Sequence, residues 1–92
     1  MLRLEGKTAI VTGAASGFGA GIARVFSREG ASVLVADLNE EAAVAIADEI
    51  GGAAIRTDVS DGGQVKAMAE AALKQWGRID IVVNNAGTKV LT

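Results

Sequence analysis

The chain has 92 residues, half of them hydrophobic, with nine Lys and Arg against eleven Asp and Glu and a net charge of −2. That balance is globular rather than disordered, offers no basic patch of the kind nucleic acid requires, and makes one small domain at most, burying only about 60–65% of its unfolded surface. Cysteine is absent, which excludes disulfides and thiolate metal sites and suits a reducing cytosol, and the longest apolar run, residues 42–47, is far short of the ~20 residues of a membrane helix.

Residues 1–6 lack the basic-then-apolar layout of a signal peptide, so the expectation is a cytoplasmic chain without nucleic-acid or membrane partners. Strand and helix then alternate. A first strand is predicted over residues 7–12, through the apolar run Thr8-Ala9-Ile10-Val11. A first helix follows over residues 17–29, with Phe18, Ile22, Val25 and Phe26 on one face and Gly30 placed as its C′ residue, where a positive φ is needed. The second strand is residues 32–37. Its unbroken run Val33-Leu34-Val35-Ala36 suits a parallel strand buried on both faces. Asn39 is placed to cap a second helix whose first turn carries Glu40 and Glu41. Ala42, Ala43, Ile46, Ala47 and Ile50 form its inner stripe, and Gly51-Gly52 ends it.

The third strand is predicted over residues 53–57. Asp58-Val59 follow, and Ser60 or Asp61 caps a third helix. In that helix Val65, Met68, Ala69, Ala72, Leu73 and Trp76 recur at i, i+3, i+4, i+7, i+8 and i+11, the spacing of one helical face, and Gly77 ends it. Met68 and Trp76 read as core residues and carry no site. The fourth strand is predicted over residues 79–84. There is no internal repeat, no low-complexity segment and no linker, and the absence of proline fits a chain made of elements and tight turns.

Strand–helix alternation predicts an α/β fold with a parallel sheet and right-handed crossovers. The glycine-rich stretch Thr12-Gly13-Ala14-Ala15-Ser16-Gly17-Phe18-Gly19, between the first strand and first helix, selects a truncated doubly wound (Rossmann) form: four strands in the order 3-2-1-4 with three crossover helices. Ligand then binds where the order reverses, between strands one and four. Glycines there let backbone approach a ligand, and the helix start offers unpaired N–H groups and a positive dipole end for phosphate. The spacing differs from the generic G-x-G-x-x-G fingerprint, so the turn gains weight from its context: a strand, a helix and a downstream acid.

That acid is Asp37. It can accept both ribose hydroxyls of an adenosine and repel a 2′-phosphate, or it can cap the second helix, a role Asn39 fills better. Asp58 can bond an adenine amino group or be a loop residue. Asn84-Asn85 can be a turn signal, or can line a cofactor with Gly87 and tie neighbouring strand ends together.

In this order and spacing, Thr12-Gly13-x-x-x-Gly17-x-Gly19, Asp37, Asp58-Val59 and Asn84-Asn85-Ala86-Gly87 resemble the short-chain dehydrogenase/reductases, as does the opening Leu4-Glu5-Gly6-Lys7-Thr8-Ala9-Ile10-Val11. Within the family the likeness is to bacterial 3-oxoacyl-carrier-protein reductases and related polyol or sugar dehydrogenases. The resemblance covers the chain up to Gly87 and implies roles. Gly13, Ala14, Ala15, Ser16, Gly17, Phe18 and Gly19 surround the pyrophosphate and adenosine ribose. Asp37, with Leu38 beside it, selects NAD over NADP, and Ser16 stands where NADP-preferring members often carry a basic residue. Asp58 and Val59 hold adenine. Asn84, Ala86 and Gly87 pass along the cofactor towards the nicotinamide.

The family's catalytic Ser and Tyr-x-x-x-Lys pair have no match. The chain contains no Tyr, no His and no Cys, and residues 88–92 match nothing. The expectation is an N-terminal NAD-binding half whose catalytic half is absent, weak in cofactor binding and inactive alone. Two other readings stand beside it: half of an enzyme completed by another chain, or a self-associating half-domain with no retained ligand. An apolar edge at Ile81, Val82 and Val83 predicts a homo-oligomer, with parts of Phe18 and Phe26 buried in the same contact and Lys89 to Thr92 able to shield the edge only in part.

Overall fold

A computed structural model of the chain describes residues 3–15 and 17–85. Ser16, Ala86, Gly87 and the stretch from Thr88 to Thr92, with the roles expected of them, lie outside the described residues.

The elements are β1 (Thr8–Thr12), α1 (Gly17–Arg28), β2 (Ser32–Asp37), α2 (Glu40–Ile50), β3 (Ala53–Arg56), α3 (Gly62–Trp76) and β4 (Ile81–Asn84). The four strands form one sheet in the order β3-β2-β1-β4, and every adjacent pair is parallel. The register brings Thr12 level with Ala36 on one side and with Asn84 on the other. The ends of β1, β2 and β4 therefore share one rim.

Alternation along each strand divides the core in two. Val11, Val33 and Val35 pack with Ala20 and Ala23 of α1 and with Ala43, Ile46 and Ala47 of α2. Ile10, Leu34 and Ala36 pack with Met68 and Ala72 of α3. The sheet is thus covered on both faces, as the continuous apolar run of β2 anticipates.

Phe18, Ile22, Val25 and Phe26 share one side of α1 and line one groove, but the helix meets the sheet mainly through smaller residues. Its buried residues are Gly19, Ala20 and Ala23. Phe18 is 84% exposed and Val25 44%, while Ile22 and Phe26 are only partly buried. The cause is close approach. A side chain on Gly19 would collide with the carbonyl of Gly13, so only a stripe of small residues lets α1 lie on β1. The bulky residues turn to its flank. Leu73 is likewise exposed, on the outer side of α3, where Met68 and Ala72 already fill the space against the sheet.

Element ends shift by a residue or two for identifiable reasons. β4 begins at Ile81 rather than at residue 79 because Asp80 precedes the ladder with its side chain: its Oδ2 accepts the Thr8 amide at 2.8 Å while its own amide donates to the Thr8 carbonyl at 2.9 Å. Arg78 holds the same carboxylate through two contacts of 2.7–2.8 Å. That pairing, with the Thr8 amide, keeps the Asp80 carboxyl below its ordinary pKa. β1 starts at Thr8, since the Lys7 amide is spent in a turn to the Leu4 carbonyl. β3 ends at Arg56, although the Thr57 amide still reaches the Asp37 carbonyl at 3.0 Å. α1 ends at Arg28 and Gly30 takes the expected positive φ of 98°. Asn39 caps α2 through the Ala42 amide, and Asp61, not Ser60, caps α3.

Candidate functional site

The site is built where β1 turns into α1. Gly13 lies at φ 64° and Gly17 at φ 52°, left-handed conformations that side chains resist. Gly19 is pressed against the Gly13 carbonyl. At Gly13, Gly17 and Gly19 the loop therefore presents backbone alone. The first turn of α1 contains no acidic residue to offset the positive end of the helix.

Each neighbouring strand end is tied to this loop. On the β4 side, Thr12 Oγ1 lies 3.2 Å from both the Val83 carbonyl and Asn84 Oδ1, and Asn85 Nδ2 donates to the Gly13 carbonyl at 3.1 Å. The two asparagines thus tie strand ends together, as one of their two readings anticipates. On the β2 side, the Ala14 amide donates to the Ala36 carbonyl at 3.3 Å and the Ala15 amide to Asp37 Oδ2 at 3.1 Å. Asp37 Oδ1 accepts the Asn39 amide at 2.9 Å. Asp37 is therefore not the cap of α2, and its half-buried carboxylate stands beside the glycine loop. Leu38 next to it is 57% exposed.

Asp58 is organised from below and above. Its amide donates to Gln64 Oε1 at 2.8 Å, and its Oδ1 accepts the Ser60 hydroxyl at 2.6 Å and the Ser60 amide at 2.9 Å. Those bonds, the hydroxyl first, hold the Asp58 carboxyl below its ordinary pKa, with Arg56 adding a smaller attraction. Near neutral pH it is a pure acceptor. Gln64 is a residue that sequence reasoning passed over. Its signal is the Asp61-x-x-Gln64 spacing of a capping box: Asp61 accepts the Gln64 amide, and Gln64 reaches back to Asp61 Oδ2 at 3.2 Å.

Val59 and Asn84 face a crevice of about 210 Å³ that they share with Thr12, Val65, Met68 and Val82. It opens between the C-terminal ends of β1 and β4 and the start of α3. A larger apolar groove of about 420 Å³ runs along α1 past Phe18, Gly21, Ile22 and Val25. Of the residues expected at the site, Gly13, Ala14, Ala15, Gly17, Phe18, Gly19, Asp37, Asp58, Val59 and Asn84 all lie along the C-terminal rim of the sheet or on the loops that leave it.

A glycine cradle that a Cβ would fill, a helix start without acid and two fixed carboxylates make a donor and acceptor set suited to a phosphate flanked by a hydroxylated sugar and a base. The chain's likeness to known proteins agrees with this arrangement. The family model described as short chain dehydrogenase matches residues 7–92. A sorbitol dehydrogenase of Cereibacter sphaeroides is 51% identical over 87 residues, which cover 92% of this chain and 34% of that protein. A D-threitol dehydrogenase of Mycolicibacterium smegmatis is 48% identical over 90 residues, covering 92% and 35%. Among solved structures, a hydroxysteroid dehydrogenase from Escherichia coli superposes with a TM-score of 0.89 at 45% identity, covering 94% of this chain and 37% of that one. A short-chain dehydrogenase/reductase from Burkholderia phymatum in complex with NAD gives 0.82 at 39% identity, covering 89% and 31%. The chain spans about a third of the length of these relatives.

Proposed function

The chain belongs to the short-chain dehydrogenase/reductase family of oxidoreductases, and from that premise we propose that it is the family's N-terminal NAD-binding half. The observation that carries the reading is the pairing of the glycine cradle with Asp37: the loop's Ala15 amide and the carboxylate are 3.1 Å apart, so phosphate donors and a ribose acceptor share one rim. Gly13 to Gly19 hold the pyrophosphate, Asp37 the adenosine ribose with Leu38 alongside, Asp58 and Val59 the adenine, and Asn84, Ala86 and Gly87 the path to the nicotinamide. When bound, the dinucleotide supplies the group that gives or takes a hydride. This chain's residues bind and orient it. In this reading the 92 residues are inactive alone, bind the dinucleotide weakly, and work in the cytoplasm. Among the described residues no helix is long and apolar enough to cross a membrane.

NAD is preferred to NADP because a carboxylate facing a 2′-phosphate is a repulsive element. Calorimetric titration of both cofactors is expected to give tighter binding of NAD. Asp37→Ala is expected to narrow the gap by roughly tenfold, about the 1.4 kcal/mol of one unfavourable charge contact. An unchanged gap sinks the selectivity reading, and no heat with either cofactor favours a half-domain without ligand.

A second reading concerns assembly. β4 is an outer strand, Val82 is 57% exposed, and among the described residues nothing pairs with its outer edge. Such edges recruit another strand. We therefore propose that the polypeptide forms a homo-oligomer through Ile81, Val82 and Val83, two edges pairing antiparallel about a two-fold axis. The exposed Phe18 and part-exposed Phe26 of α1 give further apolar surface for the same contact. Light scattering over a concentration series is expected to show a dimer, and Val82→Lys to weaken it at least tenfold. A monodisperse monomer at every concentration refutes it.

A further inference from the structure

Asp37 is expected to act on a ligand, yet its carboxylate is already engaged. Oδ2 accepts the Ala15 amide at 3.1 Å and Oδ1 accepts the Asn39 amide at 2.9 Å. The two donors belong to different segments, the loop after β1 and the turn before α2. Each carboxylate oxygen has two acceptor positions, so both amides are satisfied while one position per oxygen is left for ribose hydroxyls. The terminal torsion of an aspartate is ordinarily broad. Here any large rotation breaks one or both bonds.

Among the described residues the other direct tie between the loop and β2 is the Ala14 amide on the Ala36 carbonyl, at 3.3 Å. The Asp37 contact is the shorter of the two, and it involves a charge, which strengthens a hydrogen bond. It also sets the residue two positions after the left-handed Gly13, where a change in direction moves the whole phosphate-facing stretch.

We infer that Asp37 is a positioning residue for the glycine loop as well as the acceptor for ribose, and that its charge is fixed in place rather than free to swing. The inference rests on the nucleotide-binding reading of this rim. Two consequences follow from the geometry. Repulsion of a 2′-phosphate cannot be relieved by turning the carboxylate away, because that frees the Ala15 and Asn39 amides. Neutralising Asp37 therefore narrows the choice between the two cofactors while weakening both. An asparagine at this position, though equal in shape, has one oxygen and one NH2. It can accept only one of the two amides and turns a donor towards the other.

The test separates the two roles with a ligand that has no ribose hydroxyl to grip. The wild-type chain, Asp37→Ala and Asp37→Asn are titrated with ADP and with 2′,3′-dideoxy-ADP, and amide hydrogen exchange is followed at Ala15 and Asn39 in the ligand-free proteins. The expected result is an Ala15 amide that exchanges about two- to tenfold faster in Asp37→Ala, the range of one lost hydrogen bond, and the same gain at Ala15 or Asn39 in Asp37→Asn, whichever amide loses the oxygen, with exchange in the β1 and β2 core unchanged. Affinity for 2′,3′-dideoxy-ADP falls by a similar factor. Ala15 exchange equal in all three proteins overturns the inference. So does an affinity loss confined to ADP, which would make Asp37 a ribose acceptor alone. A wild-type chain that binds neither nucleotide defeats the nucleotide reading, while the exchange data still decide whether Asp37 holds the loop. If Asp37→Ala does not fold, Asp37→Asn carries the comparison.

Discussion

A purified polypeptide of these 92 residues, incubated with NADH and a panel of ketones, is expected to give no loss of NADH absorbance above the solvent background. Hydride transfer to a carbonyl leaves an alkoxide that must be protonated, and a positioned proton donor matched to the task contributes about 10²- to 10⁴-fold. The donor that the family resemblance implies is a tyrosine assisted by a lysine four residues on, and the chain has no Tyr, no His and no Cys. Among the described residues several other hydroxyls and amines are engaged or lie away from the rim. The Ser27 hydroxyl donates to the Ile50 carbonyl between α1 and α2, and the Ser60 hydroxyl to Asp58. Lys7 precedes β1, at the opposite end of the strand from the loop, and Lys66 and Lys74 are exposed on α3. Turnover that survives repurification would defeat the expectation. Adding in trans a polypeptide that carries a Tyr-x-x-x-Lys segment of the family distinguishes an inert half from half of a divided enzyme, since only the latter recovers activity.

The largest effect on stability is expected at Gly19. A Cβ there meets the Gly13 carbonyl and the Ala14 Cα. These are backbone atoms, which cannot rotate aside as a side chain would, so the helix must lift from β1 or the loop must distort. Overpacking of this kind costs about 1–3 kcal/mol. For a domain of this size each kcal/mol lowers the melting temperature by about 4–8 °C, so Gly19→Ala is expected to melt about 4–24 °C lower by circular dichroism. Gly21, two residues along the same helix, is the control. A Cβ there meets nothing within 4 Å, and replacing a helical glycine by alanine stabilises by about 0.8–1 kcal/mol. The two substitutions share their chemistry and are expected to have opposite signs. Equal melting temperatures would mean that the close contact at Gly19 relaxes at no cost. The same substitution moves the start of α1 away from Gly13, so cofactor binding is expected to fall with it.

Much of this architecture is written in local pattern. The unbroken apolar run of β2 reports burial on both faces before any partner is known, because a strand covered from two sides has no polar side to show. Asn39 announces α2 and Gly51 and Gly77 end α2 and α3, since caps are satisfied by a residue's own near neighbours. With the parallel order inferred from strand–helix alternation, these place the glycine loop, Asp37, Asp58 and Asn84 on one rim. What depends on distant residues was not legible. Periodicity puts Phe18, Ile22, Val25 and Phe26 of α1 on one face, and they do line one groove, but it does not tell that the helix meets the sheet through Gly19, Ala20 and Ala23 instead. The start of β4 is not legible locally because the Asp80 carboxylate takes the Thr8 amide from a position no local rule marks. The engagement of Asp37 with Ala15, 22 residues away, follows from neither propensity nor period. A side chain's partners across a sheet are set by register and by how near two backbones can come, and those are properties of the assembled fold.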